Sequence, residues 1–212
     1  MCGIAGVYSP DRKRFERDTL ASMLSVMRHR GPDGSGVHID HGIALAHARL
    51  SIIDLEGGAQ PMSVDDGAVW ITFNGEIFNY IELRDELVSR GHRFQTHSDT
   101  EVILRLYREK GERCVEDLNG QWAFAIWDSE KRKLFLSRDR MGVRPLFYSK
   151  VNENLVFASE IKAILQHPGV SKSLDRKALD QIFTFWVTLP PRTIFDGIFQ
   201  LPPGHSMSVE DG

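Results

Sequence analysis

Cys2 stands one peptide bond from the start of the chain, in Met1-Cys2-Gly3-Ile4-Ala5-Gly6-Val7. If Met1 is trimmed, that one residue carries both a nucleophilic sulfur and a free α-amine, so nucleophile and base come together without a histidine relay. A thiol titrates near about 8.5 and an α-amine near about 7.7–8.0, and proton transfer between groups so closely matched costs little. Taken alone, Cys2 is better read as a chance cysteine after the start methionine, beside a buried strand built on Ile4, Ala5 and Val7. Three further places hold groups that chemistry can use. Arg49, set among apolar neighbours in Ala48-Arg49-Leu50-Ser51-Ile52-Ile53-Asp54, is either a surface cation or a fork for a carboxylate. Asn74-Gly75, after the β-rich run Val69-Trp70-Ile71-Thr72-Phe73, is either a tight turn or a pair of donors that converge on one oxyanion. Asp99, in Ser98-Asp99-Thr100-Glu101, suits a first helical turn whatever its job, and a fixed carboxylate there can also receive an ammonium.

The elements that position these groups follow from periodicity. Leu20, Met23, Leu24 and Met27 recur at helical spacing and predict a helix over 18–30, stopped by Gly31-Pro32. A charged loop, 28–34, is either a solvated turn or a pocket wall. A strand over 43–48 delivers Arg49. Beyond Glu76-Ile77-Phe78 the pattern turns helical through Ile81, Leu83 and Leu87 to Gly91, with Asn79 as its cap. Asn74-Gly75 is therefore expected at a corner joining strand to helix, not in a hairpin. A capping box at 98–101 opens a helix over 102–110, closed by Gly111. Strands over 122–127 and 134–137 form a hairpin, and the charged stretch 138–145 separates them from a second pair over 146–148 and 155–157. Ser159-Glu160 caps a short helix over 161–165. Beyond Gly169 come a helix around 179–186, proline-interrupted segments at 189–191 and 201–205, and a strand over 206–209. Asp211-Gly212 calls for a return strand that does not follow, so the chain is expected to be a piece of a longer protein.

With 212 residues and 42% hydrophobic content, the chain is sized for one main domain. Lys and Arg number 26 against 29 Asp and Glu, a formal charge of −3, which points to neither nucleic acid nor an anionic membrane as partner. No run approaches a membrane-spanning length, and Asp11, Arg12 and Lys13 arrive before any signal-like stretch, so a cytoplasmic location is expected. Two cysteines, Cys2 and Cys114, make no disulfide framework, and neither has metal-ligand spacing around it. No metal site is expected, and Cys114 is expected to be an inert helix residue.

Six segments in order, namely Cys2-Gly3-Ile4, Arg28-His29-Arg30-Gly31-Pro32-Asp33, residues 48–54, Phe73-Asn74-Gly75-Glu76-Ile77, Ser98-Asp99-Thr100-Glu101 and Arg138-Asp139 through Pro145-Leu146, resemble the glutaminase domain of class II glutamine amidotransferases. These belong to the N-terminal-nucleophile hydrolases. The wording is most similar to the glutamine-hydrolysing asparagine synthetase branch, because other branches usually replace the Glu76 position and lack this form of 28–33. Leu201-Pro202-Pro203-Gly204-His205 also resembles that branch's entry into its synthetase domain.

The resemblance implies an α+β fold, a four-layer α-β-β-α sandwich of two antiparallel sheets between helical layers. It implies that Cys2 attacks the side-chain amide of L-glutamine, releases ammonia and leaves a thioester that water resolves to glutamate. Asn74 and Gly75 would form the oxyanion hole. Arg49, with backbone around Ile52 and Ile53, would hold the substrate α-carboxylate, and Asp99, with backbone at Gly75 and Glu76, its α-ammonium. Residues 1–170 are assigned to the glutaminase domain and 171–212 to a segment leading into a C-terminal synthetase domain of the same polypeptide. No cofactor is expected in this chain. ATP and Mg2+ belong to that synthetase domain, whose Ser-Gly-Gly-x-Asp-Ser loop does not occur between Met1 and Gly212. The partners implied are L-glutamine and the synthetase domain, with room for a homodimer. Rival readings are a non-catalytic glutaminase-like docking domain, a hydrolase of another amide, and an amidotransferase with a different acceptor.

Overall fold

The computed structural model describes residues 1–210, and the Asp211-Gly212 pair that called for a return strand lies outside the described residues. Strands are numbered in chain order. β1 (Gly3–Tyr8), β2 (Gly34–Asp40), β3 (Ile43–Arg49), β8 (Phe147–Val151), β9 (Asn154–Ala158) and β10 (Ile198–Gln200) form one sheet, in the order β10-β8-β9-β1-β3-β2. β4 (Met62–Val64), β5 (Val69–Ile77), β6 (Gly120–Asp128), β7 (Lys133–Arg138) and β11 (Ser206–Glu210) form the other, in the order β11-β7-β6-β5-β4. Every pairing within them is antiparallel.

Alternation along each strand sorts the core into three layers. On β1, Ala5 and Val7 face outward against Leu20 and Met23 of α1 (Arg17–Ser25) and Ala163 and Ile164 of α4 (Ile161–Ile164). On β5, Val69, Ile71 and Phe73 face outward against α2 (Tyr80–Ser89) and α3 (Asp99–Lys110). Between the sheets, Ile4, Tyr8, Ile43 and Leu45 meet Ala123, Ala125, Trp127 and Leu136. The arrangement is the four-layer sandwich that the resemblance implied.

Three local expectations are corrected. The helix expected over 18–30 ends at Ser25, and the chain goes on in tight turns, Met27 N–H to Leu24 O and Arg30 N–H to Met27 O. They let Gly31 press onto β3, where an added Cβ would lie 2.2 Å from the Ala48 carbonyl carbon. Asn74-Gly75 is neither a turn nor a corner: β5 runs through both to Ile77, with Asn74 opposite Ala123 and Gly75 opposite Trp122. Glycine is required at 75 because a Cβ there would come within 2.2 Å of Gln121 O on the neighbouring strand. The capping box does not close, because Ser98 caps Thr100 N–H while the Glu101 carboxylate turns back to the N–H groups of Gln95 and Thr96.

Residues beyond 170 enter both sheets, since β10 is the outer strand of one and β11 of the other. α5 (Arg176–Phe185) stands apart from the three core layers, with Phe183, Phe185 and Trp186 exposed. Among the described residues, no helix is long and apolar enough to cross a membrane.

Candidate active site

Cys2, Arg49, Asn74 and Glu76 share one strand parity. Positions 4 and 8 of β1, 43 and 45 of β3 and 70 of β5 turn toward the inter-sheet layer, so positions 2, 49, 74 and 76 fall on that same side at one end of it. There the layer opens into a cleft whose walls include Met1, Cys2, Arg49, Gly58, Gln60, Asn74, Gly75, Glu76, Asp99 and Arg144. With Met1 in the wall the cleft encloses only about 50 Å³. A larger groove of about 610 Å³ between α1 and β2 is lined by Arg17, Leu24, Arg28 and Pro32 and gathers none of the four.

The backbone at Cys2 is pinned on two sides. Arg30, only 9% exposed, donates from Nε to Cys2 O at 2.8 Å and from Nη1 to Glu160 at 2.9 Å. Ile4 exchanges hydrogen bonds with Ser159, its N–H reaching Oγ at 3.0 Å and its carbonyl accepting from Ser159 N–H at 2.8 Å. Leu50 N–H then donates to the Cys2 sulfur at 3.3 Å. Burial raises the thiol above its ordinary pKa, while that N–H, the terminal amine and the cations Arg49 and Arg144 oppose the rise.

Arg49 and the start of α3 are both braced by the loop 50–61 between β3 and β4. Arg49 donates from Nη1 to Leu55 O and from Nη2 to Asp54 O, at 3.1 and 2.7 Å, so the guanidinium is held in place from behind. The Asp54 carboxylate accepts from Gly57 N–H and from His97 N–H, both within 2.8 Å. His97 precedes the N-cap of α3, so the same loop braces Asp99. Asp99 is 4% exposed and accepts from Ile77 N–H at 3.1 Å. Burial lifts its carboxyl to about 6, with the nearby Glu76 charge adding to the rise. Such a group gains from a cation that neutralises it. Ile52 and Ile53 lie in the same loop and both line the cleft, although the Ile52 side chain is 66% exposed.

Asn74 is 1% exposed, yet its Nδ2 has no hydrogen-bond partner among the described residues. An unmatched buried donor costs about 1–3 kcal/mol, and here it belongs to a residue that shares the cleft wall with Cys2. Gly75 and Glu76 continue that wall. Every site residue expected from sequence therefore lines one cleft.

Sequence reasoning missed Arg144 and Gln60. Arg144 comes from the charged stretch 138–145, which broke the strand pattern and entered the family resemblance without a role being given to Arg144. Asp139 organises it, accepting from Met141 and Val143 N–H on one oxygen and from Arg144 and Trp122 N–H on the other. Arg138 closes the knot by donating to the carbonyls of Arg144, Gly142 and Leu201. Arg144 thereby lines the cleft with its Nε unpartnered among the described residues, and its charge acts on Cys2 and Glu76. Gln60 joins β5 to α3, accepting from Phe73 N–H and donating to Thr100 Oγ1. The resembling segment from Arg138 to Leu146 was the hint of the first, and nothing local marked the second. Among the described residues, no group of three His, Cys, Asp or Glu could hold a metal ion.

Two antiparallel sheets lie between helical layers, with Cys2 directly before β1, an inner strand of one of them. A solved glutamine phosphoribosylpyrophosphate (PRPP) amidotransferase from Bacillus subtilis superposes with a TM-score of 0.65 at 20% identity, over 100% of this chain and 49% of that one. The chain belongs to the glutamine amidotransferase domain family, which it matches over residues 1–212. It is 43% identical to Asparagine synthetase [glutamine-hydrolyzing] 3 of Bacillus subtilis across 100% of its own length and 35% of that protein's. It is 44% identical to Asparagine synthetase B [glutamine-hydrolyzing] of Escherichia coli across 78% of its length and 30% of that protein's. The chain thus spans about a third of the length of these relatives.

Proposed function

We propose that this domain hydrolyses L-glutamine through Cys2 once Met1 has been removed. The observation that carries the reading is the cleft itself. A thiol and an unpartnered amide donor face it between a braced guanidinium and a buried carboxylate. Arg49 would take the α-carboxylate of glutamine and Asp99 its α-ammonium, and a zwitterion fixed at both ends places the side-chain amide over the sulfur. The free α-amine of Cys2 takes the thiol proton, and the sulfur adds to the amide carbon. Asn74 Nδ2 and the Gly75 backbone stabilise the oxyanion. Collapse expels ammonia, protonated by the same amine, and leaves a thioester. Water, deprotonated by that amine, attacks the thioester, and the thiol and glutamate are released.

The relatives named as glutamine-hydrolysing asparagine synthetases are about three times as long. We extend the proposal accordingly: the ammonia serves a synthetase portion of a longer polypeptide, which uses ATP and Mg2+ to activate aspartate. The test uses protein carrying a cleavable N-terminal tag, assayed before and after cleavage exposes Cys2, with circular dichroism to check the fold and intact mass to check the terminus. Cleaved protein is expected to release ammonia from glutamine and tagged protein hardly any, because an amide nitrogen takes no proton and the added residues crowd the sulfur. Equal rates before and after cleavage would overturn the N-terminal-nucleophile mechanism.

A further inference from the structure

The nucleophile and its oxyanion donor belong to different sheets, and a buried polar pair joins those sheets beside them. His47 of β3 and Thr72 of β5 are both 0% exposed. His47 Nδ1 lies 3.2 Å from Thr72 Oγ1, and that hydroxyl donates at 3.2 Å to Ala46 O on β3. A hydroxyl has one proton to give, so with Ala46 O receiving it the oxygen accepts from Nδ1–H. His47 is thereby fixed as the Nδ1–H tautomer, and its Nε2 has no partner among the described residues. Burial and the Arg49 charge push this imidazole down to about 3, so it is neutral at any working pH.

The placement of the pair is more telling than its burial. His47 lies opposite Ile4, two residues from Cys2, and two residues before Arg49. Thr72 lies two residues before Asn74. Side chains two apart on a strand are neighbours on one face, so each partner adjoins a group of the proposed site. Immediately around the pair the layer is apolar, with Ile4, Leu45, Ala123 and Ala125 nearby. Apolar contact holds sheets together without fixing their offset, whereas hydrogen bonds are directional. If filling space were the whole task, an apolar pair would do it without leaving a buried ring nitrogen unmatched.

We propose that His47 and Thr72 are positioning residues, a clasp that sets the Asn74 amide at working distance from the Cys2 sulfur. The proposal rests on the glutaminase reading given above. Thr72→Val keeps the shape and removes the hydroxyl. With Cys2 exposed, it is expected to lower kcat for glutamine hydrolysis by about 10- to 100-fold, the scale of an ångström-level misplacement. Thr72→Ser, which keeps the hydroxyl, should restore most of the loss. Alkylation of Cys2 by iodoacetamide, which uses no oxyanion hole, should proceed at the wild-type rate. In an Asn74→Ala background, Thr72→Val should cost almost nothing further, because groups acting as a unit are not additive.

Wild-type turnover in Thr72→Val, failure of Thr72→Ser to recover, or an equal loss in both backgrounds would each overturn the clasp. If Thr72→Val does not fold, His47→Leu against His47→Asn makes the same comparison, since the asparagine amide can donate from near the Nδ1 position. Wild-type protein that releases no ammonia would instead overturn the glutaminase reading, and the clasp with it. An active wild type matched by its variants removes the clasp alone.

Discussion

Cys2 and Cys114 place the same thiol in surroundings of opposite sign. Cys114 lies in a 3-10 turn (Gly111–Glu116), buried in the layer between α3 and β6. Burial pushes its pKa up, the Asp117 and Glu112 charges add to the rise, and it reaches about 12. At neutral pH its thiolate fraction is on the order of 10⁻⁵. Burial raises Cys2 as well, but there the neighbours are a backbone N–H, an amine and two guanidinium groups, all pulling the other way. Burial alone does not distinguish the two thiols. The sign of the nearby charge does, together with the cleft that Cys2 lines.

The largest expected effect sharpens that contrast directly. Cys2→Ala should lose nearly all ammonia release from glutamine, a fall of at least about 10⁴-fold for a lost nucleophile, with the fold unchanged by circular dichroism. Cys114→Ala should keep kcat within about twofold, since the site does not use it. Similar losses in both would mean that the two thiols are not distinct in kind. Next in size, Asn74→Ala should lower kcat by about 10²–10³, the usual cost of one oxyanion donor, with little change in KM. A loss confined to KM would move Asn74 from transition state to ground state.

A smaller effect comes from Asp99. Its carboxyl must be ionised to hold an ammonium, and burial keeps it protonated up to about pH 6. KM for glutamine should therefore rise about tenfold per pH unit below 6. Asp99→Asn should bind glutamine poorly and show no such inflection, and an inflection surviving in that variant would assign it elsewhere. The same raised value favours the native state most below the unfolded pKa, near about 3.9, and that contribution fades as pH rises through about 6. The smallest effect is again at Cys114: Cys114→Ala should cost about 1–2 kcal/mol in urea unfolding, for a small cavity in a close-packed layer. No measurable cost would mean that the layer collapses around it.

Much of the site was legible because its residues sit at short fixed offsets from element ends. Arg49 ends a strand, Asp99 opens a helix and Cys2 precedes a strand, so each could be placed from local pattern. Asn74-Gly75 was expected at a corner, and it lines the cleft from inside a strand instead. The dipeptide signals a turn when its neighbours are consulted, but pairing with β6, some fifty residues on, keeps it extended. Arg144 was hidden because the knot that presents it depends on Trp122 and Leu201, which are far away in sequence. The segment 171–212, expected to lead into a further domain, is interrupted by prolines. Strands only three and five residues long still complete the edges of both sheets there.

The exposed end of α5 has an optical consequence. Trp122 and Trp127 are buried and Trp70 is half-buried, whereas Trp186, held at φ 65° beyond the last helical turn, is 90% exposed. Emission from the folded protein therefore divides into a shielded component at shorter wavelength and a solvent-relaxed component from Trp186. Aqueous iodide reaches the second first. The chain carries its own fluorescent reporter at this corner, and anything that covers α5 shifts that emission to the blue and protects it from the quencher.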